Sequence, residues 1–185
     1  MRLFVSVDLP ASLRDAIAAL QEEFADASGL DFVDPASAHV TVKFLGEVDP
    51  GEYDALVAAL ERAVASADVE PFESTFAGLG VFPSLDYVSV LWVGVTAGAD
   101  ELARLHEATE RETTALGYEP EAHSFTPHVT LARMKHAGGK DLVRRLVTER
   151  DPSVGTARVT ELRLTLSTPT PEGSAYETVE RFPLG

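Results

Sequence analysis

Residues 39–46 read His-Val-Thr-Val-Lys-Phe-Leu-Gly, and residues 128–131 repeat the opening tetrad as His-Val-Thr-Leu. Polar and apolar residues alternate within each tetrad, which is typical of a β-strand. Because successive side chains of a strand point to opposite faces of its sheet, the His and Thr of each tetrad share one face and the two apolar residues share the other. The repeat predicts two strands related by a pseudo-two-fold axis, with two imidazoles and two hydroxyls around one cleft.

Strand-like and helix-like segments follow one another along the rest of the chain. Apolar alternation predicts strands over residues 3–8, 39–45, 72–81, 87–95, 128–133, 157–167 and 176–182, with a short extended piece over 31–34. Helical spacing predicts one helix that begins at Pro10 and includes Phe24, and others over 50–67, 99–116 and 141–149. Strands and helices mixed without strict alternation predict an α+β fold with largely antiparallel sheets flanked by helices. No low-complexity linker divides the chain, so we expect a single domain over residues 1–185.

The composition is that of a globular protein with a sizeable core, since 45% of the residues are hydrophobic and 24% are charged. The chain contains no cysteine, which excludes disulfides and thiolate metal sites. No apolar run approaches the roughly 18 residues that a membrane-spanning helix needs, and the N-terminal stretch lacks the features of a signal peptide. We therefore expect a soluble, cytoplasmic protein.

The chain is strongly acidic, with a net charge of −15 from 30 acidic and 15 basic residues. Taken alone, this charge argues against a nucleic-acid partner, because a polyanion is repelled at low salt. Two explanations remain open at this point. Either the protein does not bind nucleic acid, or it works at a salt concentration that screens the repulsion. Arginine outnumbers lysine, and alanine, aspartate and glutamate are abundant, a composition that favours a salt-adapted source.

Two histidines and two threonines around one cleft suit the hydrolysis of a phosphodiester without a metal ion. The reaction needs a base that takes a proton from water and an acid that protonates the leaving oxygen, and an imidazole with an unperturbed pKa of about 6.5 serves in either role near neutral pH. Threonine hydroxyls donate hydrogen bonds to the phosphoryl oxygens on which charge develops. A single His-x-Thr is common in structural strands, but two copies of one tetrad predict His39 and His128 as an acid–base pair.

Further stretches outside the tetrads match a known family. They are Arg2-Leu-Phe-Val5, Gly78-Leu-Gly-Val-Phe-Pro83, Val90-Leu-Trp-Val-Gly94, Phe125-Thr-Pro-His-Val-Thr-Leu-Ala-Arg133 and Arg181-Phe-Pro-Leu-Gly185. With the paired tetrads, they make essentially the whole chain resemble the RNA 2',3'-cyclic phosphodiesterases, formerly called 2'-5' RNA ligases, of the two-histidine phosphoesterase superfamily. The resemblance implies a bilobal fold with the cleft between the lobes. It also implies hydrolysis of a terminal 2',3'-cyclic phosphate on RNA to a 2'-phosphomonoester, without a metal or other cofactor.

The same resemblance implies roles for five residues. His39 corresponds to the histidine that donates a proton to the leaving ribose oxygen, and His128 to the histidine that accepts a proton from water. Thr41 and Thr130 correspond to the residues that hold the phosphate. Arg133 corresponds to the family's arginine, five residues after the second histidine. Strict alternation turns Arg133 away from His128, so either a bulge, a twist or the strand end returns it to the cleft, or it is a structural surface charge.

Other polar and aromatic residues have weaker claims to function. His106 is interpreted as a solvated residue on a helix. His123 and His136 flank the second tetrad at spacings that match no usual metal signature, and we predict no metal site. Lys43 shares the face of the first tetrad's His and Thr under strict alternation, where it either touches phosphate or lies in solvent. Four aromatic residues are either base-stacking platforms or parts of the core: Phe82, Tyr87, Trp92 and Phe125.

Three functions remain as alternatives to the hydrolysis of RNA ends. The same acid–base pair would catalyse 2'-5' ligation of RNA in the reverse direction, or the hydrolysis of a small cyclic nucleotide. A non-catalytic module that binds RNA ends is the third alternative, although binding alone does not need two titrating groups. We expect a monomer whose partner is RNA with a 2',3'-cyclic phosphate terminus or a small cyclic nucleotide, and no contact with membranes.

Overall fold

The computed structural model describes residues 1–185 and contains nine strands and four α-helices. The strands are β1 (Arg2–Asp8), β2 (Leu30–Phe32), β3 (His39–Glu47), β4 (Phe72–Pro83), β5 (Val88–Val95), β6 (His128–Met134), β7 (Ser153–Val159), β8 (Glu161–Thr170) and β9 (Gly173–Pro183). The helices are α1 (Arg14–Glu22), α2 (Tyr53–Ala67), α3 (Ala99–Thr114) and α4 (Lys140–Glu149). None of these helices combines the length and apolar character that a membrane crossing requires.

All nine strands pair antiparallel in one sheet with the order β7-β4-β5-β6-β3-β1-β8-β9, and β2 pairs with the far end of β6. The two tetrad strands, β3 and β6, meet at the centre of this order through Val40 and Val129. The sheet therefore has two halves, one made of β3, β1, β8 and β9 and the other of β6, β5, β4 and β7. The predicted α+β class and its two-lobed, pseudo-two-fold arrangement are confirmed.

Helices from each half of the chain cross over to cover the other half of the sheet. α1 follows β1 but packs against β6 and β7, and α3 follows β5 but packs against β3. The apolar positions that predicted the first helix are buried, but α1 ends at Glu22, so the fully buried Ile17 lies on the helix and the fully buried Phe24 lies in the turn after it. Val40 and Val129 are also fully buried, so the apolar face of each tetrad lies in the core and the His and Thr face lies on the opposite side of the sheet.

The structure divides one predicted strand into two. The strand expected over 157–167 breaks at Thr160, after which the chain leaves β4 and joins β1 and β9 in the other lobe. The buried positions show the break as a change of phase, since Ala157 and Val159 are two apart but the next buried residue is Leu162. A continuous strand keeps its period of two, so this shift marks the end of one strand and the beginning of another. The short extended piece over 31–34 overlaps β2.

Candidate active site

The structure brings the four predicted tetrad residues together on the two central strands. His39 begins β3 and His128 begins β6. The register of this antiparallel pair places Thr130 across from His39 and Thr41 across from His128. Residues that are diagonal across such a pair lie about 7–8 Å apart. The two imidazoles are therefore near neighbours, and the charge of His39 acts on His128.

Both imidazoles are held in the same way. The Nδ1 atom of His39 lies 2.8 Å from the backbone carbonyl oxygen of Ser37, and Nδ1 of His128 lies 2.7 Å from that of Thr126. Because a carbonyl oxygen only accepts hydrogen bonds, Nδ1 carries the proton in each ring. The other nitrogen, Nε2, has no partner within the protein and remains available for a substrate or a water molecule.

A β-bulge follows the threonine of each tetrad. The extra residue is Val42 in β3 and Leu131 in β6. In both strands the extra residue and its successor are buried, so the next residues, Phe44 and Arg133, return to the face of the histidines and are exposed. Arg133 therefore lies on the cleft side, where its charge lowers the pKa of both histidines. Of the two alternatives for this arginine, the bulge is the one that the structure contains.

Lys43 does not face the cleft. It follows the bulge of β3 and is buried, with 2% of its surface exposed. Its ammonium group donates hydrogen bonds to the Glu110 carboxylate on α3 and to the backbone carbonyl of Glu119. Burial raises the pKa of Glu110, but the hydrogen bonds from Lys43 and from the backbone N–H of Glu121 outweigh it and hold this pKa below its usual value. The interpretation of Lys43 as a neighbour of the phosphate or of solvent is wrong, because the bulge turns it into the core.

A side chain from the crossing helix holds the carbonyl group of each bulge. The Val42 carbonyl accepts a hydrogen bond from Nδ1 of His106 at 2.8 Å, and the Leu131 carbonyl accepts one from Nε2 of Gln21 at 3.0 Å. The His106 ring stacks on Phe125, with centroids 4.2 Å apart and planes inclined by 5°. His106 is buried, so its interpretation as a solvated helix residue is wrong. Both polar side chains stabilise a local geometry on which the cleft depends.

Two aromatic rings line the cleft beside His128. Its ring centroid lies 4.9 Å from that of Phe82, edge to face, and 5.7 Å from that of Trp92. The indole of Trp92 covers Gly80, where a Cβ atom would come within 2.2 Å of the ring. Glycine is therefore required at this position for the indole to lie beside the histidine. This packing accounts for the second glycine of the Gly78-Leu-Gly80 stretch.

Aromatic residues from three strands surround His39. Its ring centroid lies 5.0 Å from that of Phe4 on β1 and 5.4 Å from that of Tyr176 on β9. Phe44 packs beside Phe4 with centroids 6.1 Å apart and keeps 64% of its surface exposed. Phe4, Phe44 and Tyr176 were not predicted as residues of the site. They lie at the cleft because β1 and β9 belong to the same lobe as β3, a pairing that local sequence patterns do not reveal.

The electrostatic surroundings of the two histidines differ. Burial lowers the pKa of both imidazoles, and the positive charge of Arg133 lowers both further. The carboxylate of Asp8, opposite His39 in the pairing of β1 with β3, raises the pKa of His39. The corresponding neighbour of His128 on β5 is Gly94, which has no charge. The pseudo-symmetric backbone therefore presents one imidazole beside an anion and the other without one.

The two other histidines near the second tetrad, His123 and His136, are not part of the site. His123 and His136 are exposed and lie outside β6. Nδ1 of His136 accepts a hydrogen bond from the backbone N–H of Gly138 at 3.1 Å. No group of three or more histidine or carboxylate side chains has the arrangement of a metal site. The absence of a metal from the reaction stays a prediction.

The chain is similar in sequence and in fold to several known proteins. A curated RNA 2',3'-cyclic phosphodiesterase from Methanothermobacter thermautotrophicus is 34% identical over 100% of this chain and 99% of its own length. Another with the same name, from Aeropyrum pernix, is 38% identical over 80% of this chain and 82% of its own. The crystal structure of E. coli LigT complexed with 3'-AMP has a TM-score of 0.81 and is 26% identical, covering 99% of this chain and 97% of LigT.

The match extends to the family level. The family model described as the 2'-5' RNA ligase superfamily matches residues 9–168, a range that includes both tetrads, both bulges and Arg133. The resemblance inferred from the sequence is confirmed by this match and by the relatives that align over nearly the whole chain. The chain belongs to the 2'-5' RNA ligase superfamily.

Proposed function

We propose that this protein hydrolyses the 2',3'-cyclic phosphate at the end of an RNA chain to a 2'-phosphomonoester, with His39 and His128 as the catalytic acid and base. The observation that carries this proposal is the pair of imidazoles whose Nδ1 atoms are both engaged by backbone carbonyls. Each ring therefore keeps Nε2 free, and proton transfer to and from the reacting oxygens requires a free ring nitrogen of this kind. The names of the relatives from Methanothermobacter and Aeropyrum support the same reaction.

In the proposed reaction, His128 takes up one proton and His39 releases one, so the two histidines together keep the same number of protons. Nε2 of His128 takes a proton from water while the water oxygen forms a bond to phosphorus. The bond from phosphorus to the 3' oxygen breaks, and Nε2 of His39 donates a proton to that oxygen. The products are a free 3'-hydroxyl and a 2'-phosphate, and a proton transfer through solvent restores the starting state of the two rings.

The same proposal assigns three side chains on the cleft face to stabilisation of the phosphorane-like transition state. The hydroxyls of Thr41 and Thr130 lie beside the two imidazoles, where they donate hydrogen bonds to the non-bridging oxygens. The guanidinium of Arg133 supplies a positive charge for the same oxygens. The effect of Arg133 on both histidines supports a position of its guanidinium close to both rings.

The unequal charges around the rings support the assignment of acid and base. An acid must hold a proton before the reaction, and Asp8 favours the protonated form of His39. A base must be neutral, and His39 and Arg133 both disfavour the protonated form of His128. The pKa of both rings is lowered, but only His39 has a neighbouring anion that opposes the shift, and such unequal surroundings commonly separate an acid from a base.

Several broader properties belong to the same proposal. We propose that residues 1–185 form one catalytic domain, that it acts as a cytoplasmic monomer, and that no metal takes part. The superfamily description names a ligase, so 2'-5' ligation, the reverse of the same chemistry, is the second candidate. Equilibrium sedimentation tests the monomer.

Turnover of a 2',3'-cyclic mononucleotide in a chelating buffer tests the proposed function. We expect the 2'-phosphomonoester as the product, identified by its chromatographic mobility against the 3' isomer. Loss of activity in chelator that a divalent ion restores would overturn the metal-free mechanism. No turnover of any 2',3'-cyclic phosphate, with His39 and His128 intact, would overturn the hydrolase and leave ligation of RNA halves as the reaction to assay.

A further inference from the structure

Basic residues are not spread evenly over this acidic chain. Residues 133–150 contain six of the 15 lysines and arginines but only two acidic residues, a net charge of +4, whereas the rest of the chain carries −19. The segment runs from the end of β6 through α4 and therefore begins inside the cleft. The charge of this segment is thus opposite in sign to that of the whole chain, in a region that is continuous with the site.

Two cations continue the cleft face of β6 beyond the histidine. The ladder between β2 and β6 extends past the strand end through a hydrogen bond of 2.8 Å from the Lys135 N–H to the Gly29 carbonyl. Alternation therefore places Lys135 on the same face as Arg133, with half-buried Met134 on the other. Both cations are exposed, and neither forms an ion pair with a carboxylate.

Two more cations extend the positive charge to the hairpin between β4 and β5. On α4, Lys140 and Arg144 lie one turn apart and share a face. The ammonium of Lys140 donates to the backbone carbonyl of Asp86, and the guanidinium of Arg144 lies 3.8 Å from the Asp86 carboxylate. The next residue of the hairpin, Tyr87, is 70% exposed, the highest exposure among the large hydrophobic residues. An aromatic face is thus presented to solvent beside the cations.

We infer that Arg133, Lys135, Lys140, Arg144 and Tyr87, the basic strip, bind the single-stranded RNA on the 5' side of the cyclic phosphate. The inference rests on the proposed function, which places the terminal phosphate next to Arg133. From there the RNA chain leaves the cleft along Lys135 towards the hairpin. Cations that track the backbone and an aromatic ring that stacks on a base are the combination by which proteins bind single strands with little sequence preference.

An acidic polypeptide fits this surface less well than RNA does. It would be attracted by the cations, but it has no base to stack on Tyr87 and no terminal phosphate to place beside Arg133. A partner that does not enter the cleft would also leave unused the part of the basic strip that continues into it. RNA uses the cations, the exposed ring and the cleft together.

Two substrates with the same reacting end test the basic strip. One is a mononucleotide 2',3'-cyclic phosphate, and the other is a single strand of about ten nucleotides, long enough to cover one binding groove, with that nucleotide at its end. For Lys135→Glu and for Tyr87→Ala, we expect KM for the oligonucleotide to rise about three- to tenfold. The values of kcat and of KM for the mononucleotide should stay at those of the unmodified protein, since neither residue contacts the reacting nucleotide.

Arg14→Glu is the matched control for Lys135→Glu, because it makes the same charge change at an exposed arginine on α1. Its neighbour Leu13 contacts Gly155, which pairs with Phe76 of β4. Phe76 lies about 20 Å along the strand from the hairpin. If KM rises equally for Arg14→Glu and Lys135→Glu, the change in net charge explains the effect, and the proposed role of the basic strip is wrong. Equal changes for both substrates would also overturn it.

Binding measured without turnover separates this inference from the proposed function. Fluorescence anisotropy with the oligonucleotide product, which ends in a 2'-phosphate, reports affinity even for an inactive enzyme. If the unmodified protein hydrolyses neither substrate, the proposed function fails, and the anisotropy still decides the strip. Weaker binding by both variants, with Arg14→Glu unchanged, supports the strip. Unchanged binding, or equal competition by a polyglutamate peptide, overturns it.

Discussion

Replacement of Lys43 by methionine distinguishes a structural lysine from one that binds substrate. The unbranched methionine keeps the apolar packing of the stem but removes the ammonium group that pairs with Glu110. The side chain of Lys43 is 1% exposed and that of Glu110 is 19% exposed. Breaking a buried ion pair costs about 3–5 kcal/mol, and the partial exposure of the carboxylate puts this pair at the lower end, about 3 kcal/mol.

For a chain of this length, a loss of about 3 kcal/mol lowers the melting temperature by about 6–12 °C. We therefore expect Lys43→Met to melt at a lower temperature by about that amount while kcat and KM for a cyclic mononucleotide stay unchanged below the transition. Differential scanning calorimetry and steady-state kinetics check the two parts. The double variant Lys43→Met/Glu110→Leu should recover much of the loss, because it leaves no unpaired charge.

The pH dependence follows from the lowered pKa of Glu110. A carboxyl group with a lower pKa in the folded state contributes stability above its unfolded pKa, near 4.5, and loses it as pH falls through the folded value. The difference in stability between the unmodified protein and Lys43→Met should therefore be largest above pH 4.5 and shrink below it. If Lys43→Met leaves the melting temperature unchanged and raises KM by about tenfold or more, the structural role is wrong and Lys43 binds the substrate.

Four further predictions concern the cleft itself. His39→Ala and His128→Ala should each lower kcat by about 10²–10⁴-fold, measured with a cyclic mononucleotide, and near-normal turnover would remove the residue from the acid–base pair. The pH profile of kcat/KM should be bell-shaped, and Asp8→Asn, which removes an anion that raises the pKa of His39, should move the alkaline limb to lower pH. Movement of both limbs together would contradict the assignment of His39 as the acid. Arg133→Gln should move both limbs to higher pH and raise KM, because its charge lowers the pKa of both histidines; an unmoved profile would place the guanidinium elsewhere. His106→Leu should lower kcat more than His106→Gln, which keeps a donor for the bulge carbonyl, and equal losses would show that the hydrogen bond is not the cause.

Much of the site was predictable because its chemistry lies in two short, repeated tetrads. Strand alternation alone placed His39 and Thr41 on one face, and the pseudo-two-fold axis implied by the repeat placed His128 and Thr130 beside them. These inferences need only the local geometry of a strand and the pairing of two similar strands. The pairing is the one that the structure contains.

The bulges were the main feature that alternation concealed. In β3, Phe44 continues the apolar period of Val40 and Val42, so nothing in the pattern indicates that the phase has changed. In β6, the adjacent apolar pair Leu131 and Ala132 does break the period, and a bulge is the ordinary cause of such a break. One extra residue reverses the face of every side chain that follows, which explains the errors at Lys43 and the uncertain direction of Arg133.

His106 was misjudged for a related reason. Glu107 and Glu110 nearby suggested a polar helix face, but His106 is spaced at i+4 from Leu102, which is fully buried. Thr109 and Thr113 continue the same buried face. A helix whose buried face contains hydroxyls and an imidazole has weak apolar periodicity, because its interior partners are polar backbone atoms. Only the fold reveals that one of these atoms is the carbonyl of a bulge in β3.

The symmetry of the backbone and the asymmetry of the side chains serve different parts of the reaction. Two equivalent strands and two equivalent bulges give the imidazoles the same orientation, but two identical histidines would compete for one proton instead of dividing the work. The symmetry is broken where it affects charge. Asp8 lies beside the first histidine where Gly94 lies beside the second, and Arg133 follows the second bulge where Phe44 follows the first. In the proposed mechanism, the duplicated strand positions two proton-transfer groups, and these unequal neighbours assign His39 the role of acid, His128 that of base and the side of Arg133 that of phosphate binding.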